Sequence, residues 1–396
     1  MDAKHLDQDG YGEASRYTYR NELVDQLRQM GSLEVGRLTL RLPREFGFCW
    51  GVDRALAMVE EARRRFPGRP MWLLNSIIHN PKVNADMGKL GIRFLKGPKA
   101  EAGALDSLGP QDVVIVPAFS AEVEEIQFLK DRGVEVVDTT CPWVIKPHKR
   151  TQKYIREGFT TIIHGTVGHD ETRSTCSLVR HHGGQFVVVH DLQEAEALAL
   201  YLEGEIDGDR FQNRLHDCAT PEDFVPERDL QKIGLINQTT MLASESRAIA
   251  DRLRLAFQRR GGEAALEKNF RDFDTICRAT QDNQDAATEV VAGGVQLFLV
   301  VGGYDSSNTR NLARVGDAQG VASFHIEGPE CIHPGWIQHR DRDSGEILTA
   351  ENWLPAEGRV TVAFTAGAST PDAILGRVME RVAEVAGCSE TLAKET

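Results

Sequence analysis

Three cysteines share one setting. Asp138-Thr139-Thr140-Cys141-Pro142 puts a thiol between an apolar run, 134–137, and a proline suited to a first helical position. Asp274-Thr275-Ile276-Cys277 repeats the phrase before another helix-like segment, and Phe46-Gly47-Phe48-Cys49 is a looser version before the helix expected over 52–65. Each thiol would stand at the carboxyl end of a strand, ahead of a helix whose positive end favours a thiolate or an anionic cluster. Taken singly, each also reads as an ordinary buried cysteine. Seven cysteines without a CxxC pair favour reduced thiols, with metal binding ahead of a disulfide framework.

The chain downstream of each cysteine repeats as well: an apolar strand, then a polar loop, at His79, His169 and Ser306. The near-equal intervals, about 29 residues, suggest a triplicated α/β unit. Each unit carries a further strand and turn: 113–116 before Pro117-Ala118-Phe119-Ser120, 233–236 before Asn237-Gln238-Thr239-Thr240, and 360–364 before Thr365-Ala366-Gly367-Ala368-Ser369. Carboxyl ends of parallel strands are where α/β folds bind ligands. If the three units face one another, the three cysteines converge, with loops carrying His, Thr, Ser and Asn around them.

These elements must position the chemistry. A strand is expected over 71–78, ended by His79-Asn80-Pro81, which leaves His79 at a tip as a ligand or as an incidental surface residue. After the strand expected over 159–163, His164-Gly165-Thr166-Val167-Gly168-His169-Asp170-Glu171-Thr172 can present amides to a phosphate. Glu171 is either a proton donor, if its surroundings are dry enough to raise its pKa, or a carboxylate at a helix start. The strand over 297–301 meets Gly302-Gly303-Tyr304-Asp305-Ser306-Ser307-Asn308, donors that suit a diphosphate or a plain turn. Pro147 should kink or delay the helix after Cys141. That helix carries Lys146, Lys149, Arg150, Lys153 and Arg156, a solvated face or a local positive patch. A helix is expected over 241–260, the polar stretch 203–232 reads as a surface insertion with Cys218 as an ordinary thiol, and 328–358 separates the last two strands.

Bulk properties narrow the classes. The 396 residues allow two to four domains, and three fits the repeat. Lys and Arg number 46 against 59 Asp and Glu, a net charge of −13 that argues against a nucleic-acid or anionic-membrane binder. No apolar run reaches transmembrane length. The start, with Asp2, Asp7, Asp9 and Glu13, lacks an apolar signal core and is too acidic for a transit peptide, so a cytoplasmic protein is expected.

The residues now assembled resemble a known family. Phe48-Cys49-Trp50-Gly51-Val52-Asp53, Asp138-Thr139-Thr140-Cys141-Pro142, Cys277, the histidine segments, Gln238-Thr239-Thr240, Ser306-Ser307-Asn308 and Thr365-Ala366-Gly367-Ala368-Ser369 follow the order found in 4-hydroxy-3-methylbut-2-enyl diphosphate reductases, terminal enzymes of the methylerythritol phosphate route. The resemblance spans 46–385 and rests on at least six separated motifs. It implies an iron-sulfur cluster of 4Fe-4S type held by Cys49, Cys141 and Cys277, with one iron left open as a Lewis acid for the substrate hydroxyl. It further implies that His79, His169, Thr239, Thr280, Ser306, Ser307, Asn308 and Ser369 bind an allylic diphosphate and that Glu171 helps deliver protons. A ferredoxin or flavodoxin-type protein would supply electrons. Where many relatives place a further histidine this chain has Phe119, as in the cyanobacterial and plant branch, and Phe119 is given no hydrogen-bonding role.

The fold so implied is α/β: three pseudo-repeated domains with mainly parallel sheets around a central iron-sulfur site. The expected divisions are an N-terminal extension 1–45, a first unit 46–141, a second 142–276, a third 277–387 and a tail 388–396. Two other readings are a quinolinate-synthase-like iron-sulfur dehydratase and a non-enzymatic iron-sulfur sensor or structural zinc protein. Neither accounts for the recurring polar loops.

Overall fold

The computed structural model describes residues 19–342 and 344–395; the acidic start with Asp2, Asp7, Asp9 and Glu13 lies outside them. The described residues form two compact units. One holds those up to Pro67, Ser76–Arg93 and those from Arg278 on; the other holds Gly68–Asn75 and Phe94–Cys277. No helix among the described residues is long and apolar enough to cross a membrane.

The unit ending at Cys277 contains two mainly parallel sheets. In the first, Met71–Leu73, Val113–Val116 and Glu135–Asp138 pair in parallel register. In the second, the order is Phe270–Asp272, Ile233–Asn237, Thr160–His164, Phe186–Val189, all parallel. The central strands read as unbroken apolar runs because helices cover both faces: Val113–Val116, Phe186–Val189 and Ile233–Asn237 are buried at every position. The helix Pro142–Arg156 lies on the second sheet through Tyr154, whose hydroxyl donates to the Leu235 carbonyl at 3.2 Å. Gly234 makes that approach possible, since a Cβ there would stand 2.5 Å from the Tyr154 ring.

The other unit is built on an eight-stranded sheet. Its parallel centre runs Leu38–Arg41, Val360–Ala366, Leu297–Val301, Ala322–Ile326. The hairpin Ser32–Val35 and Leu38–Arg41 brings part of the N-terminal extension to one edge. At the other edge, Trp336–Arg340, Ile332–His333 and Ile347–Glu351 add antiparallel pairs.

Four sequence expectations change. The strand expected over 71–78 is only Met71–Leu73. Ile77 and Ile78 are buried but leave the ladder, because the Asn84 side chain accepts from the Ile77 amide at 3.0 Å and donates to the Ile78 carbonyl at 2.8 Å and the Asn80 carbonyl at 2.9 Å. Asn80 caps the helix Pro81–Lys89. The helix after Cys141 is not delayed: it starts at Pro142 with Pro147 inside it. The amide that Pro147 lacks would have reached the carbonyl of exposed Trp143, which water can serve. The helix expected over 241–260 does stop before Gly261 and Gly262, whose φ of −163° and +71° are not helical, but helix resumes beyond them, so that the element as a whole is Ala243–Asn269. Finally, 203–232 is no mere surface insertion, because Phe211, Phe224 and Leu230 are buried in the core with Leu198 and Phe257.

The Asn84 network yields a test. Asn84→Ala leaves the buried Ile77 amide in the turn before His79 without its partner, at a cost of about 1–3 kcal/mol, and takes one of two donors from the Ile78 carbonyl, which keeps the Asn80 amide at 2.8 Å. Denaturant titration should show a lower unfolding midpoint than a surface control such as Lys89→Ala.

Candidate functional site

The three cysteines are held by one backbone device. The Cys141 amide donates to the Ala118 carbonyl at 2.8 Å, the Cys277 amide to the Thr239 carbonyl at 3.1 Å, and the Cys49 amide to the Ala368 carbonyl at 3.2 Å. Each acceptor lies in the turn after the second strand of a repeat. Two residues upstream the pairing repeats, with the Thr139 amide on Val116 at 3.2 Å and the Gly47 amide on Ala366 at 2.9 Å. In the third case the Thr275 hydroxyl donates to the Asn237 carbonyl at 2.5 Å and accepts from the Asn237 amide at 2.7 Å. The parallel ladder thus continues two residues beyond the strand and ends on the thiol.

Local turns aim the chain. Asp138 Oδ1 accepts from the Thr140 amide at 2.9 Å, and Asp274 Oδ1 accepts from the Ile276 amide at 2.9 Å, the same Asx-turn in both phrases. The Thr139 hydroxyl donates to the Val116 carbonyl at 2.6 Å. Cys49 and Cys141 are the N-cap residues of Trp50–Arg65 and Pro142–Arg156, in extended conformation, and neither sulfur caps its helix. Cys277 directly precedes Arg278–Ala292. All three are half-buried.

In the unit that holds Cys141 and Cys277, the second loop is a tight network. His169 caps the helix Asp170–His181 by accepting the Glu171 amide on Nδ1 at 3.2 Å, so a neutral ring carries its proton on Nε2. Phe119 stands edge-on to that ring, centroids 6.2 Å apart. Glu171 is 3% exposed, and its carboxylate accepts from the Thr239 amide at 2.7 Å and hydroxyl at 2.8 Å. Burial pushes its pKa up to about 7, against the two Thr239 bonds, which favour the ionised form. Thr239 therefore touches the carboxylate with its amide and hydroxyl and holds Cys277 with its carbonyl. Gln238 pins the surrounding loops, its Oε1 accepting from the Thr166 amide at 3.0 Å and the Thr172 hydroxyl at 3.1 Å.

The unit that holds Cys49 gathers the other candidates. Ser306 caps the helix Ser307–Ala318, accepting from the Thr309 amide at 3.3 Å and the Thr309 hydroxyl at 2.9 Å. Asn308 joins two elements: its Nδ2 donates to Thr280 Oγ1 at 3.3 Å, and its Oδ1 accepts from the Ala368 amide at 2.9 Å. Ala368 is the residue whose carbonyl holds Cys49. Ser369 Oγ donates to the His79 carbonyl at 3.4 Å. Gly303 lies so close to that carbonyl oxygen that a Cβ would stand 2.4 Å from it. Thr280, Ser306, Ser307, Asn308 and Ser369 are all buried, which is affordable only because they bond one another and the loops.

The residues present fit an iron-sulfur group in donor chemistry. Three half-buried thiols stand at helix starts, where the positive dipole end suits an anionic ligand, whereas fully buried Cys176 is pushed up to about 12. Among the described residues none of the seven cysteines is in a disulfide. Within each unit, no three described His, Cys, Asp or Glu side chains form a ready-made metal group, so the fit rests on the individual settings of Cys49, Cys141 and Cys277. Sequence reasoning missed Thr139, Thr275, Gln238 and Asn84 as positioning residues. The doubled Asp-Thr-x-Cys phrase was the signal for the first two.

Three mainly parallel sheets with cysteines on extended ladders define an α/β protein whose candidate site residues lie in the loops beyond strand carboxyl ends. Residues 40–383 match the LytB protein family, and the chain belongs to it. It is 41% identical to the 4-hydroxy-3-methylbut-2-enyl diphosphate reductase of Gloeobacter violaceus, covering 99% of this chain and 95% of the relative. It is 42% identical to the protein so named from Synechococcus sp. (strain CC9311), covering 94% of each chain. A solved structure titled as (E)-4-hydroxy-3-methyl-but-2-enyl diphosphate reductase, the terminal enzyme of the non-mevalonate pathway, is similar with a TM-score of 0.52 and 25% identity, covering 87% of this chain and 99% of that one. The Plasmodium falciparum E-1-hydroxy-2-methyl-but-2-enyl-4-diphosphate reductase shares the fold with a TM-score of 0.64 at 21% identity, covering 87% of each.

The Glu171 environment predicts a pH response. A general acid works while protonated, so if Glu171 serves as one, turnover should fall as pH rises through about 7. Thr239→Val removes the hydroxyl that favours the carboxylate, so this alkaline limb should move to higher pH; a limb that stays put or moves down would show that another group sets it. Stability has a matching sign. Because the folded pKa lies above the ordinary 4.5, the folded chain holds the extra proton between 4.5 and about 7 and loses stability as pH rises through that window.

Proposed function

We propose that this protein catalyses the reductive dehydroxylation of 4-hydroxy-3-methylbut-2-enyl diphosphate to isopentenyl diphosphate and dimethylallyl diphosphate. The observation that carries the reading is the triple ladder that ends on Cys49, Cys141 and Cys277, with the buried carboxyl of Glu171 joined to the Cys277 turn through Thr239. The relatives' shared name supplies the substrate. The balance is two electrons and two protons in, a carbon–oxygen bond broken, a carbon–hydrogen bond formed and water released.

The three cysteines would hold an iron-sulfur cluster, a 4Fe-4S cubane with three thiolate ligands, which when bound supplies electrons and a Lewis-acidic iron for the hydroxyl oxygen. The protein's own groups do the rest. Amides at the start of Ser307–Ala318, with Ser306, Ser307 and Asn308, suit the diphosphate because a helix N-terminus offers unpaired N–H groups and a positive dipole end. His79, Thr280 and Ser369 in the same unit, and His169 and Thr239 in the other, are the remaining substrate-binding residues. Burial of Glu171 keeps a proton available near neutral pH, and its Thr239 bonds fix both oxygens. We infer a ferredoxin or flavodoxin-type protein as the electron donor and a reducing, cytoplasmic setting for the thiols. No observation favours the quinolinate-synthase-like dehydratase or the iron-sulfur sensor.

Two experiments test the reading. Protein purified without oxygen should be brown, carry iron and acid-labile sulfide, and lose most of both in Cys277→Ser; a colourless, zinc-loaded protein that still turned over would refute it. Glu171→Gln should keep the cluster spectrum and its substrate-induced change while turnover falls about 10² to 10⁴-fold, the range typical for loss of a general acid. Normal turnover in that variant would make Glu171 a helix-start carboxylate only.

A further inference from the structure

We propose that the basic face of the helix Pro142–Arg156 is the docking surface for an acidic, one-electron carrier protein of the ferredoxin type. The inference deepens the reductase reading and rests on it. The helix carries Lys146, Lys149, Arg150, Lys153 and Arg156 and not one acidic residue. Nearby carboxylates are engaged elsewhere or at one end: Asp272 is bound by Arg254 at 2.7 Å, and Glu157 approaches Lys153 at 3.7 Å. Among the described residues no carboxylate forms an ion pair with Lys146, Lys149, Arg150 or Arg156.

The face is also shaped. Arg150 lies over the Phe273 ring at 3.7 Å and Lys146 over the same ring at 5.0 Å and over Trp143 at 5.3 Å. These contacts hold two cations in place while Trp143 stays exposed, and an open groove runs along the same residues. Exposed Trp143 and half-buried Arg150 are of the residue types enriched in interfaces, and the single sign of charge along the helix differs from an ordinary solvated face of mixed charge. The chain as a whole carries −13, so an acidic carrier is repelled on average and is oriented by whichever face is positive. This face begins at Cys141. At 1.5 Å per residue Lys149 and Arg150 lie only about 12–14 Å along the helix from that thiol, and Trp143 is two residues from it, so a carrier seated here is close to a candidate cluster ligand.

The test uses the full, anaerobically loaded chain and three proteins: the parent, Lys149→Glu with Arg150→Glu, and Lys149→Arg with Arg150→Lys. With reduced acidic ferredoxin as donor, the charge reversal should lower kcat/KM about tenfold or more and flatten its decline with added salt, whereas the charge-conserving pair should behave as the parent. With reduced methyl viologen all three should agree within about twofold. Equal losses with both donors, no loss with ferredoxin, or an unchanged salt dependence would overturn the proposal. If the parent fails to turn over with viologen, the reductase reading itself fails. Docking is then judged by binding to immobilised ferredoxin, where retention by the charge-reversed protein overturns it. Tighter binding of the parent to single-stranded RNA or phosphatidylglycerol vesicles than to ferredoxin, lost in the reversal, would assign the face to those partners and overturn it too.

Discussion

A hydrogen bond from a cysteine amide to a carbonyl beyond the neighbouring strand is the constraint on which the rest depends. Parallel strands pair through evenly spaced bonds, and here the spacing persists after both chains have left regular structure. Cys141 on Ala118, Cys277 on Thr239 and Cys49 on Ala368 are the outermost rungs. The thiols are therefore aimed by backbone that buried strands hold rigid. Gly47 shows how tight this is: it sits at φ +76°, where a side chain would be strained and its Cβ would meet Asp372 at 3.1 Å.

The same economy of contacts governs the carboxylate. Glu171 is raised by burial and restrained by Thr239, so neither extreme wins and the pKa settles at about 7. A fully paired buried carboxylate would stay ionised, and an unpaired one would hold its proton well above neutrality. Because Thr239 also carries the Cys277 rung, a shift in that turn reaches both groups. His169, two residues earlier in the chain, accepts the Glu171 amide on its ring, and this capping bond holds the first turn from which the carboxylate leaves the helix.

The polar segments outside the repeated motifs have structural work. Residues 203–232 bury Phe211, Phe224 and Leu230 in the core of the second parallel sheet. The stretch 328–358 extends the large sheet and brings Arg340 to the Tyr304 carbonyl at 2.5 Å, while Glu327 accepts the Tyr304 amide at 2.9 Å. Together they clamp Gly302-Gly303-Tyr304-Asp305 from behind, which stiffens the run into Ser306, Ser307 and Asn308. Ser32–Val35 and Leu38–Arg41 likewise belong to the sheet of that unit.

The order of elements, the parallel character of the sheets and the placement of three cysteines directly before helices were legible in the residues themselves. Apolar runs such as 113–116 and 297–301 and the Asp-Thr-x-Cys phrase act locally, and local signals survive folding. The end of regular helix before Gly261 and Gly262 was legible for the same reason. Other features depended on distant partners. Ile77 and Ile78 look like strand residues, yet the Asn84 side chain takes their backbone groups out of the ladder. Glu171 reads equally as a helix-start carboxylate and an acid in the sequence, and the environment that raises its pKa, burial set against the two bonds from Thr239 far along the chain, exists only in the folded structure. Residue types and spacing determined which groups could do chemistry; tertiary packing decided their electrostatics, because desolvation and hydrogen bonding at a buried site are set by whichever backbone closes over it.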